Sequence, residues 1–194
     1  MIYFILVLLS YIIGSIPFGY LVGKYLKGID IREHGSGNIG VANSFRVMGA
    51  KYALLVLIGD CLKGFLPVGL ARWMIAGEIE FYLLIGLFAI IGHDWSVFLR
   101  FKGGKGIATT YGVVLAFYPL IAITAAMIWG LIVLTTKFAA LGSIISIFSM
   151  LGLSFLFKTP FVFKVFIMLI FLFALIRHRS NIIRLLHQKE NKII

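Results

Sequence analysis

Apolar residues fall along the chain in six long runs, at about 2–23, 52–76, 81–99, 107–134, 138–157 and 160–176, separated by short polar stretches. Each run is near the ~20 residues a helix needs to cross a bilayer. Six crossings raise a problem of parity. The basic stretches at 100–105 and 177–192 would then be separated by three crossings and lie on opposite faces. The run 107–134 is about eight residues longer than one crossing requires, and Pro119 interrupts it after Tyr118. Proline deletes a helix hydrogen bond and disfavours helix at the residue before it. Division there gives seven transmembrane helices, with the N-terminus outside and the C-terminus cytoplasmic. The half 107–118 is too short to cross a ~30 Å core alone and reads as tilted, incomplete or re-entrant.

Composition fixes the class. The 194 residues are 61% hydrophobic and 13% charged, with a mean hydropathy of +1.07, outside the range of a soluble domain. The chain is expected to be an all-α integral membrane protein, one domain over 1–194, with no internal repeat. The first run lacks the basic segment that precedes a signal peptide's apolar core, so it reads as a retained span. The lone Cys61 excludes an internal disulfide and lies in an apolar run, which suits packing.

A formal charge of +11 invites a nucleic-acid partner, but the distribution of charge argues against one. Lys24, Lys27, Arg32, Arg46 and Lys51, then Arg100, Lys102 and Lys105, then Arg177, Arg179, Arg184, Lys189 and Lys192 form three clusters, which with Lys137 make 14 of the 18 basic residues. The positive-inside rule assigns these loops to the cytoplasmic face. The outer loop "AGEIEFY" carries Glu78 and Glu80 and no base.

The first cluster contains "HGSGNIGVAN", in which Gly35, Gly37 and Gly40 match G-x-G-x-x-G. That fingerprint needs a strand before it and a βαβ unit around it, and neither fits between two spans. Asp60, twenty residues after Gly40, lies within an apolar helix where no ribose could reach it. Glycines also let backbone N–H groups converge on an anion, with Ser36, Asn38, Asn43 and Arg46 beside them as donors. The alternative is a flexible linker.

The second cluster lies in "GHDWSVFLRFKGGKGIATTYG", residues 92–112. It fails the P-loop pattern, because Lys105 is followed by Gly106 and not by Ser or Thr. What remains is a glycine pair between two lysines, with Thr109 and Thr110 where a helix can begin and its N-terminus can hold phosphate. The third, "RHRSNIIRLLHQKENKII", gathers Arg177, His178, Arg179, Asn181 and Arg184 into about two helical turns. Taken alone, the second and third suit lipid-facing anchors. Three such sets on one face suit two phosphate groups. Within the second run, Asp60 and Lys63 stand at i, i+3, as an ion pair fixing the bundle or as the floor of a site. Gly19 and Gly23 have the spacing of close helix packing.

At "SGNIGVANSFR" (36–46), "GHDWSVFLRFKGGKGIAT" (92–109) and "HRSNIIRL" (178–185) the chain resembles the bacterial acyl-phosphate:glycerol-3-phosphate acyltransferases, with "FKGGKG" carrying most of the likeness. The resemblance covers essentially the whole chain. It departs from the family pattern at Ala42, where threonine is usual, at Ser96, where proline is common, and at Gln188, near a usual glycine. It implies transfer of a fatty acyl group from acyl phosphate to glycerol 3-phosphate in the bacterial plasma membrane, with membrane lipid as a partner and no cofactor, metal or nucleic acid.

Lys105, Ser36, His178 and Asn181 are the expected catalytic residues. Lys105, Arg46, Gly103 and Gly104 are assigned to phosphate, Ser36, Asn38 and Asn43 to substrate oxygens, and His178 to the attacking hydroxyl with Asn181 as a neighbouring donor. His93 acts similarly at the other edge, and Gly37, Gly40, Lys102, Thr109, Arg179 and Arg184 complete the substrate-binding set. Direct attack on the activated acyl group suffices; a Ser36–His178 nucleophile pair is the alternative, with no acidic orienter in sight. Two other classes compete. A transporter of a phosphate-bearing solute would place its groups at the midplane and often shows inverted repeats. A metal-dependent phosphatidyltransferase or phosphatase would need clustered carboxylates.

Overall fold

The computed structural model describes residues 2–193, and every regular element among them is helical. The chain divides into two compact units, one ending at Ala116 and the other starting at Phe117. By length and composition, four helices can cross a membrane, or six if each of two bent pairs counts as one crossing. The short helix Ile107–Phe117 is the remaining apolar one.

The first unit contains α1 (Ile2–Gly14), α2 (Phe18–Lys27), α3 (Val41–Met48), α4 (Ala50–Met74), α5 (Ile79–Asp94) and α6 (Ile107–Phe117). The sequence predicts one continuous first span over 2–23, but the chain breaks at 15–17 and bends by 41° between α1 and α2. Pro17 is the cause, since it cannot donate to the ladder and pushes Ile16 out of helical geometry. The break leaves two carbonyls without helical donors, and side chains from elsewhere in this unit fill the gap. Ser96 Oγ donates to Ser15 O at 2.5 Å, and Lys63 Nζ donates to Ile16 O at 2.7 Å.

Small residues let the helices of this unit approach closely. A methyl at Gly14 would overlap the Ala89 backbone, and one at Gly92 the Tyr11 backbone, so α1 and α5 touch main chain to main chain. Ser10 Oγ donates to Ile85 O at 2.6 Å and Tyr11 OH to Trp95 O at 2.9 Å along the same seam. Gly64 packs in the same way on the Thr109 carbonyl and Gly112 on that of Cys61, which sets the start of α6 against α4. The Gly19/Gly23 spacing serves a different contact from the helix packing expected. Gly19 lies against the Ile39 carbonyl and Gly23 nearest that of Ile29, so α2 approaches the loop that follows it.

The second unit holds α7 (Pro119–Thr136), α8 (Ala139–Leu156), α9 (Phe161–Arg177) and α10 (Arg179–Leu186). The break between α6 and α7 falls at Tyr118, before Pro119, as the sequence predicts. α8 lies between α7 and α9. Trp129 Nε1 donates to Ser143 Oγ at 3.2 Å, while Tyr118 and Phe163 meet edge to face at 4.6 Å. The chain bends by 63° between α9 and α10. The tail then returns to the α7–α8 turn, where Ile193 N donates to Lys137 O at 2.8 Å.

Candidate active site

In the first unit the polar stretches rest on one small apolar core. Ile31, Ile39, Met48, Val22, Val56 and Leu99 are buried together, so the 34–40 loop and the segment leading to Lys102 share a foundation. One side chain shapes the loop. Asn43, buried in the first turn of α3, accepts from Ser36 N at 2.8 Å through Oδ1. Its Nδ2 donates to His34 O at 3.0 Å and Asn38 O at 2.9 Å, with Ile31 O at 3.4 Å. Asn43, expected to face a substrate oxygen, holds the loop backbone with both ends of its amide. Asn38 makes a smaller turn, its Oδ1 accepting from Gly40 N at 2.9 Å.

Gly35 and Gly37 adopt φ of 60° and 69°, which a side chain would strain. Gly40 caps α3 from an extended conformation. Ser36 is exposed at the loop's crest, and Arg46 is half-buried in the last turn of α3. Upstream of the loop, Asp30 accepts from the Arg32 guanidinium at 2.5–3.1 Å. That guanidinium holds the Asp30 carboxyl down at about 2.

The glycine pair of the second stretch has another cause. Gly103 N donates to Asp94 O at 3.2 Å and Gly104 N to His93 O at 2.9 Å, so both amide hydrogens point back to the end of α5 instead of outward to an anion. A Cβ at Gly103 would overlap the His93 carbonyl, and one at Gly104 the His93 ring. Lys105 follows, half-buried. Gly106, at φ 69°, turns the chain into α6, and its carbonyl accepts from Thr110 N at 2.8 Å. Lys105 thus stands at the N-terminal end of an 11-residue helix, where the dipole favours an anion. Lys102 is exposed beside it. Thr109 is fully buried behind this turn, and its Oγ1 has no hydrogen-bond partner among the described residues.

In the second unit His178 is buried at the bend between α9 and α10, with Nδ1 2.8 Å from Ala174 O. A carbonyl only accepts, so Nδ1 carries a hydrogen, and in the neutral ring the lone pair is on Nε2. The orienter missing from the sequence reading is this main-chain oxygen. Beyond the resembling motif, Glu190 is buried and grips two residues of α10. Asn181 Nδ2 donates to its Oε1 at 2.7 Å and Arg184 Nε to its Oε2 at 2.8 Å. Arg184 and Asn181, expected to touch substrate, are thus joined in an internal clamp. Glu190 gave no signal in the sequence, where it stands as a lone acid among bases. Arg179 is exposed. Among the described residues no three His, Cys, Asp or Glu side chains gather as a metal site would require.

The profile of the glycerol-3-phosphate acyltransferase family matches residues 4–188. The chain belongs to that family. A glycerol-3-phosphate acyltransferase of Bacillus subtilis is 42% identical over 190 residues, covering 97% of this chain and 96% of its own. One from Desulforudis audaxviator is 44% identical, covering 95% and 92%. Two crystal structures of PlsY (YgiH), an integral membrane glycerol 3-phosphate acyltransferase, superpose on nearly the whole chain. The glycerol 3-phosphate form has a TM-score of 0.93 at 38% identity over 99% of this chain and 96% of its own. The lysophosphatidic acid form has a TM-score of 0.92 at 36% identity, over 99% and 95%. The family is one of membrane acyltransferases, which sets aside the transporter reading and that of a metal-dependent phosphatidyltransferase or phosphatase.

Proposed function

We propose that this enzyme moves a fatty acyl group from acyl phosphate to glycerol 3-phosphate, giving 1-acyl-glycerol 3-phosphate (lysophosphatidic acid) and inorganic phosphate, in a bacterial plasma membrane. The observation that carries this reading is the match across both units to a glycerol-3-phosphate acyltransferase solved with glycerol 3-phosphate and with lysophosphatidic acid, the acceptor and the product of such a transfer. The acyl-phosphate donor is supported by the likeness at "FKGGKG". With the short α6 taken as a seventh crossing beside the six, the N-terminus lies outside, and the basic loops, with the C-terminus, lie in the cytoplasm.

The chemistry asks little covalent work of the protein. Acyl phosphate is a mixed anhydride whose leaving group is already good. The glycerol hydroxyl attacks the acyl carbon, a C–O ester bond forms, the C–O bond to phosphate breaks, and the phosphate departs with the bonding pair. Catalysis is then positioning and electrostatic stabilisation. Lys105 and Arg46 neutralise phosphate, with Lys102 and Arg179 adding charge. Ser36, on its crest, and the Asn38 amide meet substrate oxygens, while Gly37 and Gly40 keep the loop low enough for approach. His178 takes the hydroxyl proton at Nε2, because Nδ1–H is held by Ala174 O. Asn181, Arg184 and Glu190 fix the helix that follows it.

The test is turnover. Purified enzyme in detergent, given acyl phosphate and glycerol 3-phosphate, should release phosphate and form lysophosphatidic acid one for one, with EDTA present and no nucleotide. Activity with acyl-coenzyme A but not acyl phosphate, or activity that EDTA abolishes and magnesium restores, would contradict the proposal.

A further inference from the structure

Under the 103–106 turn, the first unit encloses four ionisable side chains: Asp94, whose Oδ1 lies beneath Gly106, and three that gather at one carboxylate oxygen. Asp60 is 1% exposed, Lys63 3% and His93 3%. Lys63 Nζ lies 2.7 Å from Asp60 Oδ1 and also donates to Ile16 O, the carbonyl exposed where α1 breaks from α2. His93 Nδ1 approaches the same Asp60 oxygen at 3.6 Å. The other edge of the ring lies beneath Gly104, where a methyl would overlap Nε2, and Gly104 N donates to the His93 carbonyl at 2.9 Å. The next residue is Lys105.

Buried ion pairs are weak contributors to stability, because desolvation offsets their attraction, and well-packed apolar residues often replace them without loss. A pair that only joined helices would have no need of a third ionisable side chain at the same oxygen. Here Asp60 Oδ1 is the point where α4 meets the end of α5, and the ring it faces underlies the glycine backbone that carries Lys105. We propose that Asp60, Lys63 and His93 are positioning residues for acyl transfer. Lys63 holds Asp60, Asp60 orients the His93 ring, and the ring fixes the height of the turn that sets Lys105 on the substrate phosphate. This rests on the reading of Lys105 as the phosphate ligand. Misplacing a reacting group by about 1 Å can cost on the order of a hundred-fold in rate, so a modest shift of the turn suffices.

A double-mutant cycle tests the chain of contacts. Because Asp60→Asn alone would leave Lys63 buried and uncompensated, the charges are removed together in Asp60→Asn/Lys63→Met. The ring is probed separately by His93→Phe, which keeps its bulk, and His93→Gln, which restores a polar end. In variants shown to be monodisperse, kcat/KM should fall roughly ten-fold or more for the neutralised pair and for His93→Phe, with partial recovery in His93→Gln. The loss should appear in the same substrate's KM that Lys105→Ala raises. In the Lys105→Ala background the same changes should cost less than about three-fold, since residues acting through one another are not additive. Full activity of the neutralised pair and of His93→Phe, or losses that simply multiply with that of Lys105→Ala, would overturn the proposal. If Lys105→Ala is itself silent, the phosphate reading falls as well. If Lys105→Ala is damaging and the others are not, only the positioning claim falls.

Discussion

The two glycine-rich stretches of the first unit look alike in sequence and are built differently. At 35–40 the glycines answer first to conformation: Gly35 and Gly37 have positive φ, a Cβ at Gly35 would in addition meet Asn43 Oδ1, and the loop they make is held by that same side chain. At 103–104 they answer to space, with no room for a Cβ against His93 and a loop held by main-chain pairing to the end of α5. A loop fixed by one amide can yield locally, whereas one pressed on a buried ring transmits any displacement to its neighbour, which is Lys105. The two should therefore respond differently to the same substitution.

Gly104→Ala should show the largest effect. The added methyl meets a buried ring, and overpacking costs about 1–3 kcal/mol, a loss of roughly five- to a hundred-fold if it falls on substrate binding. It should appear as raised KM with a protein that still purifies as a single species; near-normal kinetics would mean that His93 can move away. Asn43→Ala comes next. It removes the partner of Ser36 N and of the Asn38 carbonyl and one of two donors at the His34 carbonyl, which keeps Gly37 N, at about 0.5–1.5 kcal/mol for each hydrogen bond lost. A lower melting temperature and faster proteolysis within 34–40 should report it, and an unchanged melt would remove Asn43 as the loop's anchor.

Gly37→Ala should be milder. The strain of positive φ is roughly 1–2 kcal/mol, and the nearest atom to the new methyl is the Arg32 carbonyl at 3.1 Å, so activity should stay within about ten-fold of the parent. A loss equal to that of Gly104→Ala would erase the contrast between the loops. Acidification should do least through Asp30. Its pKa is lowered from 3.8 to about 2 by Arg32, so its contribution is complete above the ordinary value and fades as pH falls through about 2. Exposed pairs of this kind contribute little. Melting of the Asp30→Asn variant should therefore parallel that of the parent from pH 8 to 5, and divergence in that window would point to a different titrating group.

The features legible in the sequence were those with local causes. Pro119 breaks the long fourth run because proline acts on its immediate neighbours, and Asp60 with Lys63 pairs because i, i+3 places them on one face. Pro17 has the same chemistry, but its apolar surroundings hid the break it makes. The glycine pair was read as an anion cradle because close backbone contact and open amides demand the same residue. Glu190 could not be read at all, since its value lies in reaching back nine and six residues to Asn181 and Arg184 through a turn the pattern does not encode.

The most direct test of the account is kcat/KM for Lys105→Ala beside Arg100→Ala, two equal losses of charge in one stretch. Arg100 is exposed ahead of the glycine pair, while Lys105 sits between Gly104 and Gly106 at the start of α6. A charge-assisted contact is worth roughly 1.5–3 kcal/mol, so Lys105→Ala should lose about ten- to a hundred-fold and Arg100→Ala less than about three-fold. Equal losses, or none in either, would show that these cations only anchor the loop at the membrane and that the turn does not hold the substrate phosphate.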